Sequence, residues 1–136
     1  DNLRSGLNQN LGFSKEERHE NLRRAAEVAK LFNQAGFIVL ASFITPLESD
    51  RENIRQIVGD QLLEVFVDTP LEVCKKRDPK GLYEKAAKGL ISEFTGVDAP
   101  FEKPTKPNLV FNTDELELEE ITHSIVEKIR KLTSTK

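Results

Sequence analysis

Apolar residues along this chain recur at two different spacings, and the places where the spacing changes mark an alternation of helices and strands. Leu22, Ala25, Ala26, Ala29 and Phe32 fall at helical spacing behind Ser14-Lys15-Glu16-Glu17. That tetrad is a capping box, in which Ser14 covers the amide three residues on and Glu17 reaches back to the cap. Gly36 closes the helix. The run Gly36-Phe37-Ile38-Val39-Leu40-Ala41-Ser42-Phe43-Ile44-Thr45-Pro46 follows, unbroken until a turn-forming Thr-Pro. Being apolar on both faces, it predicts a central parallel strand at about 37–43, buried between helices. Ligands in such sheets gather outside the carboxyl ends of the strands, which puts Ser42 to Pro46 at the chemical edge.

The same reading carries through the rest of the chain. Ser49-Asp50-Arg51-Glu52 repeats the capping-box signature before Ile54, Ile57 and Val58, and Gly59 ends that helix. A strand is expected from Leu62 to Val67. Thr69 then serves as N-cap, with Pro70 at the first helical position and Glu72 at the third, giving a short helix toward Arg77. Asp78-Pro79 must break it, because the residue before proline is pushed out of the helical region. Tyr83 to Lys88 predicts a brief polar helix ended by Gly89, and the whole stretch 78–107 has few apolar anchors, the mark of a mobile lid or binding loop. Leu109-Val110-Phe111 is a third short strand, and Leu118, Ile121, Ile125, Ile129 and Leu132 draw one face of a final helix. Residues 1–13, with leucines at 3, 7 and 11, suit a short helix followed by a loop. The order is that of an α/β domain with a three-layer parallel sheet.

Composition narrows the class. A chain of 136 residues, 38% hydrophobic and 32% charged, fits one globular domain with a core of its own. The formal net charge of −3 offers no electrostatic reason for a nucleic-acid partner. No apolar run approaches the ~20 residues of a membrane span and the first residues lack the charged-then-apolar pattern of a secretory signal, so the expectation is cytoplasmic, without a membrane partner. One cysteine, Cys74, excludes an internal disulfide and a cysteine metal cluster, and it is expected to be a small buried residue on its helix. The chain opens at Asp1-Asn2-Leu3-Arg4 without a methionine, and reads as cut from something longer.

A phosphate-cradling G-x-x-x-x-G-K-[ST] segment is absent, as are G-x-G-x-x-G and H-E-x-x-H. His19 and His123 are expected to face solvent. What remains is a concentration of anion-binding and stacking groups near the front: Asp1, Asn2, Arg4, Phe13, Arg18, Asn21, Arg23 and Arg24. Arginine forks suit phosphate or sulfate oxygens, and an exposed phenylalanine offers a stacking face. The spacing suits equally well a solvated charged helix with Phe13 as a hydrophobic staple. Arg77-Asp78-Pro79-Lys80-Gly81-Leu82-Tyr83 and Glu93-Phe94-Thr95-Gly96-Val97-Asp98 pose the same choice, between a phosphate-closing hinge with a second aromatic wall and ordinary loop.

Seven segments in order resemble the adenylylsulfate kinase family of P-loop enzymes: Asp1-Asn2-Leu3-Arg4, Leu11-Gly12-Phe13-Ser14, Glu20-Asn21-Leu22-Arg23-Arg24, Ser42-Phe43-Ile44-Thr45-Pro46, Val65 through Cys74, Arg77 through Tyr83, and Phe94-Thr95-Gly96-Val97-Asp98. The resemblance covers nearly all of the chain. It implies a P-loop nucleotide kinase sheet, N-terminally incomplete, within a single domain 1–136 with a lid at about 78–107. It also implies transfer of the ATP γ-phosphoryl group, with Mg²⁺, to the 3′-hydroxyl of adenylylsulfate, giving 3′-phosphoadenylylsulfate for sulfate assimilation.

By family match, Phe13 and Phe94 sandwich the adenine of adenylylsulfate, while Asn2, Arg4, Arg18 and Asn21 hold its phosphosulfate or neighbouring groups. Ile44 and Thr45 line the acceptor pocket, and Lys80 and Arg77 belong to the lid. Asp1 matches the second aspartate of the family's Asp-Gly-Asp-Asn motif and is assigned contact with the acceptor ribose or deprotonation of its hydroxyl. No metal-ligating residue is assigned. Thr45 stands where the family usually has a serine that carries a phosphate in some members, which makes it the candidate phosphosite. The strand and phosphate-binding loop that precede Asp-Gly-Asp-Asn in the family are missing from this sequence, so the chain is expected to keep much of the acceptor site and to lack the ATP site. A homodimer, or a fused or associated ATP sulfurylase, is compatible with the resemblance. The alternative is a non-catalytic regulatory domain that binds adenylylsulfate or 3′-phosphoadenylylsulfate, and the blandest reading is a scaffold whose charges serve only solubility.

Overall fold

Helix α1, Lys15–Gln34, begins where the capping signature places it. In the computed structural model, which describes residues 2–134, the Glu17 amide donates to Ser14 Oγ at 3.2 Å and the Ser14 amide donates to Glu17 Oε2 at 3.1 Å. Gly12 makes this arrangement possible, because a Cβ there would lie 2.7 Å from Glu17 Oε2. The helix ends at Ala35, and Gly36 takes φ +92°, a conformation that glycine alone adopts without strain.

The described residues fall into two compact units, the first reaching Leu62 and including Ala99–Lys103. In it, α1 packs on helix α2, Glu48–Val58, and Leu22 and Ala26 are the buried apolar residues. A short 3₁₀ turn, Gly59–Gln61, follows α2. Residues 2–10 form turns rather than the expected short helix. The Asn8 amide donates to Leu3 O at 2.7 Å and the Leu11 amide to Asn8 O at 3.0 Å. Closing these local bonds satisfies the backbone without the four-residue ladder of a helix.

The expected strand at 37–43 is not formed. Residues 37–46 are irregular, Phe37 is 60% exposed and Leu40 82% exposed. An apolar run suits a buried strand only where a neighbour takes its two rows of N–H and C=O groups. The sheet among the described residues has two strands, and 37–43 is neither of them. Phe37 instead turns back on α1, its ring meeting Phe32 edge-on with centroids 5.8 Å apart.

The capping box expected at Ser49 is also absent. Helix α2 starts two residues earlier, with Leu47 in the cap position and no side-chain cap bond. The Glu48 amide is met by Glu102 Oε2 at 2.6 Å, and Asp50 is drawn away to His19. Arg51, only 4% exposed, gathers this corner: Nε donates to Glu48 Oε2 at 2.8 Å, Nη1 to Thr45 O at 2.6 Å and Nη2 to Glu102 O at 2.6 Å. Its guanidinium also lies 6.0 Å from the centre of the Phe101 ring. Thr45 is held there at φ +41°, a position that a β-branched residue occupies only under restraint.

The second unit contains strands β1, Val65–Val67, and β2, Leu109–Phe111, which pair in parallel with Val65 opposite Leu109 and Val67 opposite Phe111. β1 is shorter than expected, although Glu64 O extends the ladder by accepting from the Leu109 amide at 3.1 Å. Helix α3, Leu71–Arg77, takes Pro70 as its cap, one residue later than expected, because Thr69 Oγ1 is engaged with Thr113 Oγ1 at 2.7 Å. It stops at Asp78, as the following proline requires. The Asp78 carboxylate then starts helix α4, Leu82–Ala87, accepting from the Tyr83 and Glu84 amides at 3.1 Å each. Helix α5, Leu118–Thr133, buries Ile121, while Leu118 and Leu132 at its two ends are exposed. Cys74 is half-buried on α3 rather than fully enclosed, with Sγ 3.9 Å from Thr69 O.

Removal of the Arg51 guanidinium takes this donor from the Thr45 and Glu102 carbonyls and leaves Glu48 with Arg55. Arg51→Ala should therefore lower unfolding free energy by about 3 kcal/mol, and Arg51→Lys should restore only part of it, since one ammonium does not reproduce the planar fork. Urea denaturation of the three proteins checks this; equal stability of wild type and Arg51→Ala would remove Arg51 from the framework.

Candidate functional site

The turn at 2–12 and the first turns of α1 bring several of the predicted site residues together in the first unit. Arg4 places its guanidinium carbon 4.4 Å from the centre of the Phe13 ring and ties Nη1 to Leu11 O at 3.1 Å and to Gly12 O at 2.8 Å. Arg18, one turn into α1, lies 5.9 Å from the same ring centre and donates from Nε to Phe13 O at 2.7 Å. Phe13 itself is 63% exposed. A staple would have packed it against an apolar residue at the fourth helical position. That position is Arg18, so the ring is held by two cations and left facing solvent. The arrangement offers an aromatic surface and positive charge within a few ångströms of one another.

Asn21, one helical turn after Arg18, is buried, and its Oδ1 accepts from Asn8 Nδ2 at 3.0 Å. Asn2 is exposed, and its carbonyl accepts from Ser5 Oγ at 2.9 Å. Asp1 lies outside the described residues. Ile44 is 62% exposed and Thr45 is half-buried, with its carbonyl on Arg51.

Two members of the predicted anion-binding group do other work. Arg23 donates from Nε to Glu20 Oε2 at 2.7 Å and Arg24 from Nε to Glu20 Oε1 at 2.8 Å. Arg24 also reaches Asn10 Oδ1 at 2.9 Å, which ties the 2–12 turn to α1. The bonds from Arg23 and then Arg24 hold the Glu20 carboxyl down to about 2, and Glu20 in turn raises Arg23. Glu17 is lowered as well, first by the Gly12 amide and then by Ser14. Both carboxylates stay ionised beside the arginines; Arg23 stays within α1, on Glu20 and Glu27, and Arg24 serves to position the turn.

His19 departs from the expectation of a plain surface residue. Its side chain is 47% exposed, yet Nδ1 lies 2.7 Å from Oδ1 of Asp50, whose side chain is 5% exposed, linking α1 to α2. His123 is exposed on α5. Lys15, Glu16, His19, Glu20, Ser49 and Asp50 line a shallow hollow at that junction.

In the second unit the carboxyl ends of β1 and β2 lead into Thr69 and Thr113, the place where parallel sheets present ligands. Arg77 closes on them, donating from Nη1 to Thr113 Oγ1 at 2.7 Å and from Nη2 to Thr113 O at 2.9 Å. Its fork is occupied by protein rather than open. Phe94 is half-buried and meets Tyr83 edge-on, with ring centres 5.0 Å apart. Burial raises the Tyr83 hydroxyl, with the Cys74 and Asp78 charges adding to it. For Asp78 burial acts upward, but the amides of Glu84, Tyr83 and Leu82 outweigh it and hold the carboxyl below its ordinary value. Lys80 is exposed in the turn between α3 and α4.

Asn8, the Asp50–His19 pair and Thr113 were not singled out from the sequence. Asn8 lies in a Gly-Leu-Asn-Gln-Asn run without periodicity, and Asp50 is absorbed by a capping signature. Only the Asn-Thr-Asp that follows the Leu109-Val110-Phe111 strand carried a positional hint, since strand ends are where such sites lie.

Comparison with known proteins bears on both units. A family model described as Adenylylsulphate kinase matches residues 1–112. The adenylyl-sulfate kinase of Clostridium acetobutylicum is 50% identical over 131 residues, which is 96% of this chain and 66% of that protein. The adenylyl-sulfate kinase of Bacteroides thetaiotaomicron is 55% identical over 130 residues, 95% of this chain and 65% of that one. Among solved structures, the Mycobacterium tuberculosis APS kinase in complex with AMPPNP and APS superposes with a TM-score of 0.91 at 43% identity, covering 96% of this chain and 76% of that one. The α/β class with a parallel sheet is the fold these kinases carry. The chain spans about two-thirds of the length of the curated relatives it matches.

The depressed carboxyls make an acid prediction. A group whose folded value is lowered contributes stability above its unfolded value and loses it as pH falls. The Glu20 contribution should therefore be complete above the ordinary 4.5 and disappear as pH falls toward about 2. Carbon-detected NMR titration should place the Glu20 midpoint near 2, and Glu20→Gln should flatten the acid limb of the melting curve in that window. A Glu20 midpoint near 4.5 would show that the two arginines do not hold it.

Proposed function

Because the chain belongs to the adenylylsulfate kinase family, we propose that it serves transfer of the ATP γ-phosphoryl group to the 3′-hydroxyl of adenylylsulfate, giving 3′-phosphoadenylylsulfate in sulfate assimilation. The observation that carries this is the family match across residues 1–112, a span that holds the Phe13 cluster. Phosphoryl transfer depends chiefly on positioning and on stabilising charge. The groups of that cluster are of the right kind: Phe13 offers a ring face for adenine, and Arg4 and Arg18 stand beside it for phosphosulfate oxygens.

In this reading Asn2 and Asn21 hold neighbouring polar groups of adenylylsulfate, Ile44 and Thr45 contribute backbone contact, and Thr45 is the candidate phosphosite. Asp1 contacts the acceptor ribose or takes the proton from its hydroxyl. Residues 78–107, with Arg77, Lys80 and Phe94, act as the lid, Phe94 supplying a second aromatic surface for adenine. Among the described residues no group of three or more His, Cys, Asp or Glu could enclose a metal ion. In this reading Mg²⁺ accompanies the ATP phosphates, while the chain's own residues bind, orient and screen the acceptor. No described helix is long and apolar enough to cross a membrane, and a cytoplasmic setting is part of the same proposal.

A second reading takes the same Phe13, Arg4 and Arg18 cluster as a binding surface only. It makes the chain a binding domain for adenylylsulfate or 3′-phosphoadenylylsulfate. Calorimetry with each nucleotide, beside single-turnover assays of the full-length protein with ATP and Mg²⁺, separates the two, since binding without phosphoryl transfer even in the full-length protein favours the second.

Phe13→Ala and Phe94→Ala should each weaken adenylylsulfate binding by about 1–3 kcal/mol, the contribution of a stacked base, with little change in melting temperature for the exposed Phe13. Unchanged affinity in both variants would sink the stacking assignment.

A further inference from the structure

Asn8 is the one large side chain at 0% exposure among the described residues, and it sits in a surface turn. Its Nδ2 donates to Asn21 Oδ1 at 3.0 Å and to the Asn21 main-chain carbonyl at 3.4 Å. Two oxygens therefore face this end of Asn8. Only the NH₂ of an asparagine can donate to them, so the orientation of the Asn8 amide follows from its surroundings. The cost is visible at the other end, where Asn8 Oδ1 is buried with no partner among the described residues. Turning the amide over would not relieve this, because it would press Oδ1 against two other acceptors. The turn around Asn8 is itself anchored, by its own amide on Leu3 O and by its carbonyl under the Leu11 amide.

The consequence passes to Asn21. With Oδ1 held by Asn8, the free end of Asn21 is its NH₂, which has no acceptor among the described residues, and the residue keeps 6% exposure one helical turn after Arg18. Position 21 is thereby a hydrogen-bond donor and not an acceptor.

We propose that Asn8 is a positioning residue that sets the Asn21 amide with its NH₂ outward, so that Asn21 donates to an acceptor oxygen of the bound nucleotide, such as a phosphate, sulfate or ribose oxygen. This rests on the adenylylsulfate kinase reading for the identity of the ligand, whereas the amide orientation does not depend on it. Asn8 touches no ligand in this scheme. An oxygen-rich ligand is selected because an NH₂ one helical turn from Arg18 meets an anion with donors alone.

The test begins with the unsubstituted protein. In side-chain ¹⁵N spectra, the Asn8 NH₂ pair should exchange slowly with solvent and the Asn21 pair quickly, and the Asn21 pair should shift as adenylylsulfate is titrated. A protected Asn21 pair with a fast-exchanging Asn8 pair would overturn the proposal whether or not any nucleotide binds. Asn8→Asp supplies the second arm, because a carboxylate at position 8 accepts from Asn21 Nδ2 and turns Asn21 Oδ1 outward. It should protect the Asn21 pair and weaken adenylylsulfate binding by about tenfold to a hundredfold, the size of a lost hydrogen bond to a charged group. Asn8→Ala, which frees the Asn21 amide to rotate, should fall between wild type and Asn8→Asp. If wild type binds adenylylsulfate and both variants bind it equally well, Asn8 does not position the ligand contact. If wild type fails to bind it, the functional reading falls instead, and the exchange data alone decide the orientation.

Discussion

The start of α1 is the constraint on which the candidate site depends. Ser14 and Glu17 satisfy each other's backbone amides, and Glu17 can lie where it does because Gly12 leaves room for its carboxylate. That fixes the direction in which the chain enters the helix, and with it the seat of Phe13 immediately before the cap. Arg18 and Asn21 then follow at helical spacing on the same side. Arg4 arrives from the preceding turn, pinned to the carbonyls of Leu11 and Gly12. A hydrogen-bonded cap worth about 1 kcal/mol by itself thus determines where an exposed ring and two cations meet.

Buried polar groups do the rest of the local organisation. Asn8, Asn21, Asp50 and Arg51 are all buried in the first unit. A polar group tolerates burial only when its partners are supplied, and each of these has a specific one: Asn8 on Asn21, Asp50 on His19, Arg51 on Thr45, Glu48 and Glu102. Such bonds are directional, so they set geometry that apolar packing of Leu22 and Ala26 leaves loose. Thr45 illustrates this: a β-branched residue at positive φ is held by a guanidinium on its carbonyl.

The same economy recurs in the second unit at smaller scale. Asp78 ends one helix and caps the next, and Thr69 gives up its role as a helix cap to join Thr113 at the ends of the paired strands. Arg77 then closes over Thr113. Residues that local signatures assign to helix ends are here shared with neighbours far away in sequence.

The sequence by itself determined the features that depend on neighbours within about one helical turn. The Ser14–Glu17 box, the stops at Gly36 and Gly59, the break at Asp78 before Pro79, and the helical stripe ending in α5 all follow from local sterics and hydrogen bonding, and all are present. The family resemblance was legible too, because it rests on order and identity of residues. Whatever needs a distant partner was decided only by tertiary structure. The apolar run 37–43 has strand chemistry without a paired neighbour among the described residues, Ser49 lost its cap to Glu102, and Asn8 became a buried anchor only because Asn21, thirteen residues away, presents two oxygens to it. A strand, a buried amide and a shared cap each need a second group whose position local periodicity does not encode, and that is why the pattern of the chain identifies the residues of the site but not which of them hold the others in place.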